Sequence, residues 1–424
     1  MELAAVQRRT LRLLFVTQII SGIGVAIGAS VGALLAADLA GVRVSGLAQS
    51  AIVIGTALFA VPATAIVNRH GRRPSLAAGY FVAAVGSLIV VAAAVRGSIP
   101  LLFAGFFLFG GATAAGLQAR YAAVDLAPAA LRGRHLSLIV WATTLGAVVG
   151  PSLAPLAGVS VGRYGVPTLA GPFVFSALLF ALATLLLLLL LRPDPAVVAR
   201  TAFGNPSGPA SDARRAGMRA ALRVILSQAP ARLGVGAMAM GNLVMIGVMA
   251  MTPVHIKGAG HDAAHTLGIV GLVLSFHTAG MFAFSPVFGW LTDRLGRRPV
   301  IFAGIALLLA ACALAGSAGY DSTRLAGGLM VLGLGWSATM VAGSTLLSDS
   351  IPVELRASAQ GLSDLLMGLA GAAAGAISGV IVAEWGYPTL TLLAALATAP
   401  LIVLVSFSTT RIDDHAVAAE AVDR

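Results

Sequence analysis

The sequence predicts an all-α membrane protein in which twelve transmembrane helices form two pseudo-symmetric bundles of six. Its 424 residues are 58% hydrophobic and only 10% charged, and the mean hydropathy is +0.95. A soluble domain of this length needs more charge to cover its surface. Long apolar runs alternate with short basic loops, and these loops recur at half the chain length, which indicates two related halves.

Twelve apolar stretches are each close to the roughly 20 residues that a helix needs to cross a bilayer. Only helices satisfy their own backbone hydrogen bonds in lipid at this composition. The first stretch follows three arginines and is too long for the core of a signal peptide. The predicted spans, numbered helix 1 to helix 12 in this order, are 12–37, 46–67, 75–95, 99–121, 135–158, 167–191, 232–254, 265–290, 299–319, 322–347, 357–383 and 387–408.

The segment between the sixth and seventh spans is rich in Pro, Ser, Gly and Arg. It is predicted to link the two halves and to contain a short amphipathic helix, Asp212 to Ser227, that lies on the membrane. The resulting domains are a first bundle at 1–191, a cytoplasmic linker at 192–231, a second bundle at 232–410 and a cytoplasmic tail at 411–424.

The distribution of cations predicts the orientation. The side that holds the termini and the basic loops carries 22 of the 27 Lys and Arg residues. By the positive-inside rule both termini are cytoplasmic, in a multi-pass protein of the inner membrane. The formal net charge of +11 therefore reflects topology and not nucleic-acid binding. The single cysteine, Cys312, excludes disulfides within the chain and a multi-cysteine metal site.

Two loop motifs occur twice. Residues 68–74 read Asn-Arg-His-Gly-Arg-Arg-Pro, and residues 293–299 read Asp-Arg-Leu-Gly-Arg-Arg-Pro. An Asp-x-x-Pro-x-x-x-Arg pattern at 125–132 returns at 349–356 after nearly the same interval, which is about half the chain. In both basic loops a glycine permits a tight turn, and a proline suits the first turn of the following helix.

These features together resemble the major facilitator superfamily over essentially the whole chain. The second basic loop, from Gly289 to Arg298, matches the signature loop of that family closely. The first copy departs from it, with Thr64 in place of the glycine and Asn68 in place of the aspartate. The resemblance implies the two-bundle fold, and a transporter whose halves rock about a site near the midplane.

The basic loops are predicted to gate the cytoplasmic side. An acid at a helix end can pair with an arginine or a helix terminus and hold that side closed. The alternative is that the arginines only fix topology. The second copy keeps the acid, so we expect it to hold the closing ion pair. The gating residues are predicted to be Asn68, Arg69, Gly71 and Arg72 in the first copy, and Gly289, Asp293, Arg294, Gly296, Arg297 and Arg298 in the second.

Helix 5 contains Gly146-x-x-x-Gly150-Pro151, which resembles the antiporter-type helix-5 motif of the same superfamily, without its following glycines. Small residues allow close helix contact, and proline kinks a helix. We expect Gly146, Gly150 and Pro151 to form a hinge in helix 5. Gly371-x-x-x-Gly375-x-x-x-Gly379 is expected to serve similarly in helix 11.

The predicted solute site lies on helices 7 and 8. Met245 and Met249 share one face of helix 7, and His277 and Met281 share one face of helix 8, because each pair has i, i+4 spacing. Thioether and imidazole ligands suit Cu(I), and a membrane-embedded histidine is functional by default. Asn242 adds a polar group. Outside the membrane, His255, His261, Asp262 and His265 offer a capture site for a metal.

The paired Met and His motifs resemble those of the copper-importing branch of the superfamily, which implies Met245, Met249, His277 and Met281 as copper ligands. Copper is then cargo, and no cofactor is expected. The alternative is that flexible methionines line a site for an organic substrate, with His277 carrying protons or bonding a neighbouring helix. Carboxylates are scarce within the spans, and Gln18 is the one strongly polar group of helix 1.

The chain is therefore predicted to be a secondary transporter working by alternating access, and not an enzyme, since no phosphate-binding loop or nucleophile constellation is visible. Its cargo is either Cu(I), imported through the Met/His site, or a small organic molecule taken up or exported. A third hypothesis is a membrane sensor with a transporter fold and no turnover. The expected partners are the lipid bilayer and the solute or metal ion, and nucleic acid is excluded.

Overall fold

The computed structural model describes residues 3–128, 131–203, 210–352 and 355–402, and every regular element in these ranges is a helix. The first half contains the long helices α1, α3, α4, α5, α6 and α8, with the short helices α2 and α7 between them. Their bounds are α1 Leu3–Ala40, α2 Val42–Ser45, α3 Leu47–His70, α4 Arg72–Arg96, α5 Ile99–Ala122, α6 Arg132–Val149, α7 Ala154–Val161 and α8 Gly171–Leu190.

The second half follows two linker helices and repeats the pattern of long apolar helices. The bounds are α9 Pro195–Phe203 and α10 Ala210–Ser227 in the linker, then α11 Ala229–Lys257, α12 Ala263–Phe282, α13 Ser285–Leu295, α14 Arg297–Ser317, α15 Ser322–Ser350 and α16 Arg356–Leu396. The predicted linker helix thus exists as α10. The sequence did not predict α9.

The prediction of twelve spans in an all-helical membrane fold is confirmed. Over the described residues, eleven helical stretches are long and apolar enough to cross a membrane. The last of them holds two predicted spans, because Gly386 at φ 81° interrupts α16 between residues 383 and 387. Helices 5 and 8 each consist of two segments, with α6 and α7 in helix 5 and α12 and α13 in helix 8.

Glycine ends the helices at both basic loops. Gly71 has φ 100° and Gly296 has φ 93°, which are conformations that an L-residue with a side chain rarely adopts. Each terminates one helix and lets the next begin at the following arginine. The end of the spans that carries these loops is called the inner end below, and the opposite end is the outer end.

Aromatic residues fill the core of the first bundle. Phe106 and Phe109 of α5 contact Phe173 of α8 with ring centroids 5.7 and 5.8 Å apart, and Phe109 also lies 5.3 Å from Phe180. All four side chains are fully buried. Small residues make room for them: a Cβ at Gly28 would approach within 2.7 Å of the Phe109 ring.

The helices group into two compact units. One comprises Met1–Ser207, Ala250–Thr278 and Gly375–Glu384, and the other comprises Gly208–Met249, Ala279–Ala374 and Trp385–Arg424. The first unit therefore combines the first six spans with the outer segments of helices 7, 8 and 11. The predicted tail, 411–424, lies outside the described residues, as does the end of the predicted span 387–408.

Candidate functional site

The first basic loop is held by a mostly buried ion pair at the inner end. Arg72 donates from Nε to Asp125 Oδ2 at 2.8 Å and from Nη2 to Asp125 Oδ1 at 3.0 Å, which is the bidentate geometry of a strong pair. Its Nη1 donates to Gln118 Oε1 at 2.9 Å. Gln118 in turn donates to Thr64 Oγ1 at 3.2 Å. The side chains of Arg72 and Asp125 are only 13% and 16% exposed.

A second acid reaches the same loop from the linker. Asp194 accepts hydrogen bonds from the backbone N–H groups of Arg72, at 3.1 Å, and of Arg73, at 2.7 Å. It also caps α9 by accepting from Ala196 N at 2.9 Å. A Cβ at Gly71 would collide with this carboxylate. Asp194 therefore places a carboxylate at the N-terminus of α4, although position 68 has no acid.

The role of Asp194 as a helix cap is indicated by its sequence neighbour, although Asp194 lies outside the repeated motifs. Asp194 precedes Pro195, and an acid followed by proline is a typical start of a helix. α9 then lies against the loop, because Arg200 donates from Nη1 to the carbonyl of Asn68 at 2.6 Å. Asn68 and Arg69 themselves are exposed.

The second basic loop has a more exposed ion pair. Arg297 donates from Nε to Asp349 Oδ2 at 3.0 Å, with side chains 33% and 51% exposed. Arg294 lies over the Trp290 ring, 5.2 Å from its centroid, and Asp293 is exposed. The pairs Arg72–Asp125 and Arg297–Asp349 thus occupy equivalent places in the repeat. Whether Asp293 and Arg294 close the cytoplasmic side stays a prediction.

The outer end of the first unit contains contacts between the two sequence halves. Lys257 at the end of α11 pairs with Asp38 of α1, and Arg43 pairs with Glu384 of α16 at 3.1 Å. Ser152 Oγ also lies 2.7 Å from Ser275 Oγ of α12, in an exposed contact. None of these partners could be paired from the sequence, since each contact joins segments that are far apart along the chain.

The outer histidines do not assemble the expected metal site. The rings of His261 and His265 have centroids 4.6 Å apart. Asp262 accepts from the backbone N–H of His265 at 2.9 Å, and this bond lowers the pKa of that carboxyl. Among the described residues, no three His, Cys, Asp or Glu side chains are arranged to hold a metal ion.

Two of the four Met and His residues predicted as solute ligands are buried inside the protein. Met245 is 6% exposed and His277 is 1% exposed, whereas Met249 and Met281 are partly exposed. Burial at the first two positions satisfies one requirement of a solute site within the protein. It does not by itself select a metal over an organic molecule.

Asn242 ties three helices of the second half together. It donates from Nδ2 to the carbonyl of Met367 on α16 at 2.9 Å and accepts from Trp336 Nε1 on α15 at 3.2 Å. The Trp336 ring contacts Phe282 edge-on at 5.9 Å between centroids. The buried amide and the partly buried indole present neutral hydrogen-bonding groups beside an aromatic surface.

Gln18 of α1 likewise ties several helices of the first half together through hydrogen bonds. It donates from Nε2 to Thr143 Oγ1 of α6 at 3.1 Å and to the carbonyl of Gly116 of α5 at 3.4 Å. It accepts from the hydroxyl of Tyr80 at 2.6 Å, and Ser21 donates to that hydroxyl at 3.1 Å. The sequence shows that Gln18 is polar, but its partners on three other helices depend on packing and cannot be read from it.

Helix 5 is interrupted where the hinge was predicted. α6 ends at Val149, and a 3-10 turn at Pro151–Leu153 separates it from α7. A Cβ at Gly146 would lie 2.6 Å from the carbonyl oxygen of Ile19, so this glycine permits the close approach of α1. The break is present in the structure, and its use as a hinge stays a prediction.

Comparisons with known proteins identify one family. The model of the Major Facilitator Superfamily matches residues 14–270 and 261–422. The chain is 40% identical to the uncharacterized MFS-type transporter YdeG of Bacillus subtilis, over 95% of this chain and 92% of that protein. It is 29% identical to the riboflavin transporter RfnT of Brucella anthropi, over 94% and 96% of the two chains.

Solved structures agree on the fold. The chain is similar to a mutant form of the nucleoside transporter NupG with a TM-score of 0.74 at 15% identity, over 96% of this chain and 99% of that one. It is similar to a D-xylose-proton symporter with a TM-score of 0.68 at 19% identity, over 92% and 96%. At these identities the likeness concerns the arrangement of helices and not the solute.

Proposed function

The chain belongs to the Major Facilitator Superfamily and is a membrane transporter of small solutes, and we propose that it moves an uncharged or weakly charged organic molecule by alternating access. One observation carries the proposal. The outer segments of helices 7, 8 and 11 contact the first half through breakable polar pairs, Asp38–Lys257, Arg43–Glu384 and Ser152–Ser275. A solute entering from outside requires that such contacts separate.

The repeated inner ion pairs support the same mechanism. Arg72–Asp125 and Arg297–Asp349 brace the loops of the two halves at equivalent positions. Each half then moves as a braced bundle while the contacts between the halves exchange. With the cation-rich side in the cytoplasm, the protein lies in the inner membrane with both termini inside.

The proposed solute class follows from the buried polar groups. Gln18, Tyr80, Asn242 and Trp336 are neutral hydrogen-bonding side chains within the spans. Neutral groups match an uncharged solute, since a fully charged one needs an opposite charge within the membrane. A relative over the full length carries the name riboflavin transporter, and that name agrees with an aromatic organic solute bearing hydrogen-bonding groups.

Copper import is the second candidate, and one observation favours it. Met245 and His277 are buried, as ligands for Cu(I) would need to be. We expect copper uptake by cells expressing the protein to fall in the variants His277→Ala and Met249→Ala if copper is the cargo. If both variants accumulate copper as the unsubstituted protein does, this candidate is wrong.

Reconstituted protein tests the main proposal. Proteoliposomes are preloaded with unlabelled riboflavin, a nucleoside or a sugar, and the entry of the labelled compound is followed. Counterflow of one of these organic solutes, absent from protein-free vesicles, is the expected result. Binding to the protein without flux would instead support the sensor hypothesis, and flux of copper alone would select the second candidate.

A further inference from the structure

The linker helix α10 presents a continuous exposed stripe at the inner end of the second unit. Over its described side chains, the exposed positions recur with helical spacing. They are Met218, Arg219, Leu222, Arg223, Leu226 and Ser227. Leu226 is 60% exposed, which is unusual for a leucine unless something apolar covers it.

The opposite face of α10 fixes the orientation of that stripe. Ala221 and Ile225 are buried in a cluster with Leu347 and Ile351 at the end of helix 10 and Leu362 of helix 11. Leu347 and Ile351 flank Asp349, the ion-pair partner of Arg297 in the second basic loop, so α10 lies at the inner end. The stripe therefore points away from the second bundle at the level where its spans leave the membrane.

The chemistry of the stripe combines cations with apolar side chains. Arg219 and Arg223 lie one turn apart, as do Leu222 and Leu226, and residues 217–227 contain no acid. These four residues and Ser227, all on α10, border one open region of the surface.

We propose that this stripe binds anionic phospholipids of the leaflet at the inner end. The two guanidinium groups would contact phosphate oxygens, which arginine recognises by charge and geometry. The leucines would insert among the upper parts of the acyl chains, as in helices that lie in a membrane interface. Charge complementarity selects anionic lipid, because a zwitterionic headgroup carries a choline cation beside its phosphate and offers the arginine pair no net negative charge. The linker is thereby fixed to the membrane surface directly before helix 7.

The experiment uses the full chain with Cys312→Ser and Ser227→Cys, labelled at residue 227 with an environment-sensitive fluorophore. The protein is placed in nanodiscs of phosphatidylcholine alone, or of phosphatidylcholine with increasing phosphatidylglycerol. We expect the emission to shift to shorter wavelength as phosphatidylglycerol is added, and the shift to weaken at high salt. Arg219→Gln with Arg223→Gln should raise the phosphatidylglycerol fraction needed for the half-maximal shift by roughly tenfold.

Two controls separate lipid binding from a loss of folding. Arg219→Lys with Arg223→Lys keeps the charge and should retain most of the shift. Arg324→Gln removes one exposed arginine at the outer end and should leave the shift unchanged. The proposal is overturned if emission is the same in both lipids, or if the double glutamine variant keeps the full shift.

Discussion

Gln18 and Asn242 occupy equivalent positions in the two sequence repeats, and they make equivalent hydrogen bonds. Gln18 donates to Thr143 of helix 5, and Asn242 donates to the carbonyl of Met367 of helix 11. Met367 follows Thr143 at the same sequence interval at which Asn242 follows Gln18. The internal repeat thus extends from the surface loops into the buried polar groups, where helix 1 is tied to helix 5 and helix 7 to helix 11.

Replacing either amide by leucine should destabilise its bundle, but unequally. Gln18→Leu leaves the buried Tyr80 hydroxyl without its glutamine acceptor, and the expected cost is about 2 kcal/mol. Asn242→Leu removes the acceptor of Trp336 Nε1, whose side chain is partly exposed, and should cost about 1 kcal/mol. Thermal unfolding in detergent measures both. An equal or reversed order would contradict the assigned hydrogen bonds.

Asp194 should contribute more to the stability of the protein than Asp293, the acid of the family motif in the second basic loop. Asp194→Ala removes a carboxylate that binds two N–H groups of α4 and caps α9, so we expect a loss of about 1 to 2 kcal/mol. Asp293→Ala is the matched control, because Asp293 is exposed, and its effect should stay within about 0.5 kcal/mol. Both are measured by thermal unfolding. A larger loss of stability in Asp293→Ala than in Asp194→Ala would contradict this prediction.

The two repeated ion pairs should respond differently to the loss of arginine. Arg72→Gln leaves Asp125 without its bidentate partner in a mostly buried place, and a cost of about 3 kcal/mol is expected. Arg297→Gln breaks a more exposed pair and should cost less than about 1 kcal/mol. Unfolding at low and high salt distinguishes the two, since only the second pair is strongly screened. Similar losses with similar salt dependence would contradict the difference in burial.

Alanine substitutions at Gly146 and Gly289 should differ in their effects, because the two glycines have different surroundings. Gly146→Ala forces a methyl group against the backbone of α1, and we expect a loss of about 1 to 3 kcal/mol together with slower transport. Gly289→Ala places a methyl group in open space and should be neutral or slightly stabilising, because alanine favours the helix. Thermal unfolding and uptake in proteoliposomes check both variants. Tolerance of alanine at 146 would show that α1 and α6 are not closely packed.

The spans and the repeated loops were predictable from the sequence because apolar length and arginine spacing are local properties. The break in helix 5 and the linker helix were predictable for the same reason, from Gly150-Pro151 and from the polar pattern near Ser227. The partners of Gln18, Asp194 and Lys257 were not, because each contact depends on how distant segments pack. The unequal burial of the two ion pairs likewise depends on packing, so the acid retained at position 293 was a poor guide to which loop is held more firmly.

The outer contacts must separate during transport if the protein works by alternating access, and a reversible crosslink tests this directly. Ser152 and Ser275 lie within hydrogen-bonding distance, so cysteines at both positions, with Cys312→Ser, are close enough for a disulfide. Solute counterflow in proteoliposomes is measured before oxidation, after oxidation and after reduction, with each single-cysteine variant as control. Oxidation should stop counterflow only in the double variant, and reduction should restore it. Undiminished counterflow by the fully crosslinked protein would contradict this expectation.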